Sequence, residues 1–89
     1  MKTTYIVPVE SGFRKLAGIL VNQNVLLDRY LTGCKDAGGI DNYEISDVSH
    51  ADQELRRGER EVTIYSAMEL KPAIVAALEK TYRGRAITL

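Results

Sequence analysis

The chain holds no tryptophan, one phenylalanine, one cysteine, one histidine and two prolines in 89 residues. A single thiol, Cys34, cannot form a disulfide within the chain, which suits a reducing compartment. Charge of one sign is also missing, because twelve Lys and Arg balance twelve Asp and Glu. Nucleic-acid binding draws on a basic excess that releases counterions from phosphates. Anionic membrane surfaces attract the same excess, so the sequence supports neither partner. Long apolar runs are absent too. "LAGILVNQNVLL" is interrupted by Asn22, Gln23 and Asn24 and followed by Asp28 and Arg29. A membrane span needs about 20 mostly apolar residues. The opening "MKTTYIVPVESG" is too short and too broken for a signal peptide. No P-loop and no dinucleotide fingerprint occurs, so no cofactor is expected. These absences point to one soluble, cytoplasmic domain over residues 1–89. Its hydrophobic content, 45%, is enough to build a core.

Local patterns supply the elements. "TTYIVPV" at 3–9 is β-branched and aromatic, as strands prefer. Tyr5, Val7 and Val9 fall on one side, Thr4 and Ile6 on the other, and "ESG" ends the strand. Phe13, Leu16, Leu20, Leu27, Leu31 and Cys34 form a stripe at helical spacing, which predicts helix over 13–37. "NQN" at 22–24 is a poor helix interior. It leaves open one bent helix, two helices, or a strand in "GILVNQNV". Gly38 or Gly39 is the expected left-handed cap. "DNYEISDV" at 41–48 and "REVTIYSA" at 60–67 alternate as half-buried strands, with Val62 and Ile64 inward. Pro72 fits only the first turn of a second helix. That helix turns Leu70, Ile74, Ala77, Leu78 and Thr81 or Tyr82 inward and stops at Gly84. "RAITL" is the last strand.

The order β-α-β-β-α-β predicts an α+β domain of the ferredoxin-like type. It has a four-stranded antiparallel sheet with both helices on one face. Right-handed crossovers put the first and third core strands at the centre. The other face should be open, with Tyr5, Tyr65 and Thr63 near it.

Chemistry concentrates in "SDVSHADQELRRGERE" at 46–61. Residues 41–54 carry five carboxylates and no Lys or Arg, after which Arg56, Arg57 and Arg60 stand against Glu59. Such a dipolar loop can steer and dock a complementary partner. Asp47, His50, Asp52 and Glu54 are possible metal ligands but lack the spacing of a zinc pattern, so no metal is assigned. No nucleophile–base pair can be read, and Cys34 lies on an apolar stripe, so no catalysis is expected. "RGER" and "RGR" are basic-glycine turns able to hold an anion.

"RGEREVTI" at 57–64 looks similar to the third-strand motif of RNA-recognition modules at Arg57, Gly58 and Val62. The positions that stack bases hold Glu59 and Glu61, which repel phosphate and offer no π surface.

"LLDRYLTGCKDAG", "NYEISDV" and "EVTIYSA", with the closing helix and strand, resemble the signalling proteins of the PII type. That resemblance covers most of the chain from Val21 onward. It implies a trimer with nucleotides at subunit clefts and an exposed loop at 49–60. The loop is shorter than the family's, the family's glycine-rich phosphate turn is not evident, and residues 1–16 have no counterpart.

Two functions follow. The first is a protein-binding module, working as an adaptor, inhibitor or self-associating subunit through the open sheet face and the 47–60 loop. Its contact residues would be Asp47, His50, Asp52, Glu54, Arg56, Arg57, Arg60 and Tyr65. The second is a PII-like regulatory sensor of a nucleotide or small anion, held by Arg57, Arg60, Arg83 or Arg85.

Overall fold

The computed structural model describes residues 1–9, 13–16 and 18–87. The elements are β1 (Lys2–Pro8), β2 (Phe13–Leu16), β3 (Ile19–Asn22), α1 (Gln23–Asp36), β4 (Asn42–Ser46), β5 (Glu59–Tyr65), α2 (Pro72–Ala76), a π-helical turn (Ala77–Thr81) and β6 (Arg85–Ile87). Four strands form an antiparallel sheet in the order β4-β5-β1-β6. With β2 and β3 set aside, this is the ferredoxin-like arrangement, β1 and β5 central and β4 and β6 at the edges.

The helix expected over 13–37 is the main correction. β2 (Phe13–Leu16) and β3 (Ile19–Asn22) pair as a separate antiparallel hairpin, and α1 starts only at Gln23. Gly18 carries the turn with φ +82, a conformation glycine adopts without penalty. Short apolar runs such as Ile19–Leu20–Val21 do not separate strand from helix by periodicity, and a strand is the outcome. The amides at 22–24 therefore mark a strand–helix boundary, not a bend. The side chains of Phe13, Leu16 and Leu20, the break at 10–12 and the last strand's end at 88–89 lie outside the described residues.

The helices pack on one face. Leu27 and Leu31 of α1 and Ile74 and Leu78 of α2 and the π turn join Tyr5, Val7, Val9, Val62 and Ile64 in one buried cluster. Each fully buried side chain of this kind contributes about 1.5–3 kcal/mol relative to exposure. Cys34 packs half-buried against the cluster. Burial and a hydrogen bond with Cys34 push the pKa of neighbouring Tyr30 up to about 12. Tyr30 also lies against Tyr82, ring centroids 5.5 Å apart. Tyr82, not exposed Thr81, completes the inner stripe.

Helix ends follow the sequence. Gly38, at φ +78, caps α1: its N–H reaches Lys35 O at 3.1 Å and the Gly39 N–H reaches Cys34 O at 2.8 Å. This is the paired Schellman pattern. The second helix ends differently from expectation. Arg83 takes the left-handed conformation, φ +55, while Gly84 is needed for space. Its N–H bonds Leu78 O at 2.7 Å, and an added Cβ would stand 2.9 Å from the same oxygen.

Candidate functional site

Pleating decides which side chains reach the sheet's second face. Tyr5 pairs with Val62, so both lie on the helix side. Tyr5 is 3% exposed within the core, which corrects its expected place near the open face. Thr4 pairs with Thr63, Ile6 with Glu61 and Pro8 with Glu59, and these six occupy the second face. That face is not open. Ile6 is 0% exposed, Glu61 1% and Thr4 2%, with Thr63 and Glu59 also buried. The expected exposed sheet surface is therefore closed at its centre.

Part of the closure comes from the loop between β4 and β5. Its His50 N–H donates to Glu61 Oε2 at 2.6 Å. Its Arg56 N–H donates to Glu59 Oε1 at 2.7 Å, and Arg85 donates to Glu59 Oε2 at 2.8 Å. The Arg85 bond, then the amide of Arg56, hold the Glu59 carboxyl below its usual pKa range. A third hold lies on the helix side. Asp47 and Arg60 continue the β4–β5 register by one pair, and Arg60 Nε meets Asp47 Oδ1 at 2.6 Å. Three consecutive residues of β5, Glu59, Arg60 and Glu61, thus fix the loop from both faces.

The return to β5 is a tight turn. The Glu59 N–H bonds Arg56 O at 2.9 Å around Gly58, whose φ is +82. This matches a type II turn, with glycine third. Gly58 O also accepts the Val9 N–H at 2.6 Å. The Arg56 amide and the Arg85 guanidinium converge on an anion at this turn. That anion is Glu59, supplied by the chain itself.

What the loop presents outward is mixed. Asp52, Glu54, Arg56 and Arg57 are exposed, and Val48 is 63% exposed. Residues Asp47, Val48, Ala51, Asp52, Glu54 and Leu55 line much of an open depression of about 560 Å³. Among the described residues, no group of three or more His, Cys, Asp and Glu is placed to hold a metal. No described helix is long and apolar enough to cross a membrane.

The ten residues singled out from the sequence divide into groups. Asp47, His50, Asp52, Glu54, Arg56, Arg57 and Arg60 share the loop and its base. Arg85 joins them from β6 through Glu59. Tyr65 does not: it sits at the opposite end of β5, where its hydroxyl points to Glu44 at 3.4 Å. Arg83 follows the π turn and is exposed. Glu59 and Glu61, the two anchors, were not among the ten. Their signal was the alternation of "GEREVTIY", which sets both opposite Val62 and Ile64. They also fill the positions where an RNA-recognition module stacks bases, and both are buried.

The fold and this loop define a small α+β domain with an inserted hairpin and a polar loop held at three points by β5. No protein-family model, curated protein or solved structure matches the chain.

Proposed function

We propose that the protein is a small binding module, an adaptor, inhibitor or self-associating subunit of the cytoplasm, whose contact surface is the 47–60 loop. The observation that carries this reading is the sinking of two carboxylates, Glu59 and Glu61, into a sheet face to hold loop amides. Apolar residues there would serve stability as well or better, since buried charges recover their desolvation only in good geometry. Polar groups retained against stability are characteristic of functional surfaces. A loop already ordered also loses less entropy on binding.

Burial of the second face at its centre favours the loop over that face as the contact. The sensor reading is weaker. Arg60 is engaged by Asp47 and Arg85 by Glu59, which takes two of the four arginines offered to an anion. Light scattering with nucleotide thermal shift separates the two: a trimer whose Tm rises by several degrees with a nucleotide supports the sensor. For the binding module, the double variant Arg56→Glu with Arg57→Glu should fold with unchanged Tm and lose its partner in a pulldown from the native host. Equal recovery by the reversed protein rejects the loop as the contact surface.

A further inference from the structure

β4 is an edge. Among the described residues it pairs only with β5, so its outer row of N–H and C=O groups is unpaired. Such a row is a template for another strand. β6, the other edge, spans three of the described residues, and its Arg85 is engaged by Glu59. β4 is tied to α1 behind it. The Tyr43 hydroxyl donates to Asp28 Oδ1 of α1 at 2.6 Å and lies 2.7 Å from Thr32 Oγ1.

The side chains along this edge specify an occupant. Tyr43 and Ile45 lie on the helix side and Asn42, Glu44 and Ser46 on the second face; Asp41 precedes the strand, and Asp47, just after it, meets Arg60 through one oxygen and is exposed. Read along the edge, an acid stands at each end and one at the centre. Half-buried apolar Tyr43 and Ile45 lie between them. A second copy of β4 does not fit antiparallel about Glu44, because Glu44 would face Glu44 and each Asp41 an Asp47. Like charges directly opposite are destabilising.

We infer that the β4 edge accepts an extended basic segment as a fifth strand, with Lys or Arg opposite Asp41, Glu44 and Asp47 and apolar residues opposite Tyr43 and Ile45. This deepens the binding-module reading and rests on it. It gives the partner a chemistry: Lys-Ser-Val-Lys-Val-Ser-Lys satisfies the pattern in either chain direction.

The test titrates the intact protein with that capped peptide and with its counterpart in which glutamate replaces lysine, while amide hydrogen exchange is followed residue by residue. The lysine peptide should slow exchange in β4, bind less as salt rises, and lose about tenfold in affinity on Glu44→Lys, with Glu44→Gln intermediate. The glutamate peptide should not bind. Absence of binding by the lysine peptide, equal binding of both peptides, or protection confined to residues 48–58 with β4 unchanged overturns the edge inference. The last result leaves the loop reading standing, and that reading fails separately if the Arg56 and Arg57 reversals change nothing.

Discussion

Arg85 of β6 and Glu59 of β5 meet at 2.8 Å although β1 runs between their strands. Arg85 stands opposite Ile6 and Glu59 opposite Pro8, so the ion pair crosses the second face of β1. The same carboxylate holds the Arg56 amide. One side chain thereby couples an edge strand, the central strand and the loop.

Replacing Glu59 with Ala should be the most damaging change at the loop base. It removes a charge-assisted bond to a backbone amide and strands Arg85. The loss should be about 1.5–3 kcal/mol, a fall in Tm of about 6 °C or more for a domain this size. Arg85→Ala should cost about 1 kcal/mol or less, because its side chain is half exposed. Thermal unfolding followed by circular dichroism reads both.

The lowered pKa of Glu59 gives stability a defined dependence on acid. A carboxyl depressed in the folded state contributes fully above its ordinary value, near 4.5, and loses that contribution as pH falls through the folded value. Tm measured down through this acid range should therefore fall more steeply in the wild-type protein than in Glu59→Gln. Parallel curves would show that Glu59 does not feel Arg85 in solution.

Glu61 should separate loop order from global stability. Exchange of buried Glu61 for Leu replaces a buried carboxyl with an apolar side chain, a change often neutral or stabilising. It also removes the acceptor of the His50 N–H. Glu61→Leu should keep its stability within about 1 kcal/mol of wild type while hydrogen exchange at His50 accelerates about tenfold or more. Glu61→Gln, which keeps an acceptor, should exchange more slowly than Glu61→Leu.

Gly84→Ala tests the end of the second helix. The new methyl would stand 2.9 Å from Leu78 O and 3.2 Å from Val7 Cγ2, an overpacking that should destabilise by about 1–3 kcal/mol. Gly33→Ala, with nothing within 4 Å of the added Cβ, should stabilise the helix slightly through propensity. Urea midpoints distinguish the two.

Most of the sheet was legible because its strands alternate strongly. "NYEIS" and "EREVTIY" carry period two, and Pro72 and Gly38 mark helix ends by rules that depend on single residues. The hairpin was not legible, because Phe13, Leu16 and Leu20 satisfy a helical stripe as readily as Gly18 supplies a turn. Burial of the second face was hidden for a related reason. Glu59, Glu61, Thr4 and Thr63 are polar, and polarity on one face of a strand ordinarily reads as exposure. Only the fold shows that loop amides come down onto two of them. The ion pairs Asp47–Arg60 and Glu59–Arg85 likewise depend on register, which composition does not carry.

The three grips on the 47–58 segment all belong to consecutive positions of β5, and two of them close on main-chain amides whatever side chains the gripped residues bear. The shape of the segment is thus written in the strand beneath it, while Asp52, Gln53 and Glu54 at its crown are exposed. Substitution at those exposed positions leaves all three grips, and the core behind them, untouched.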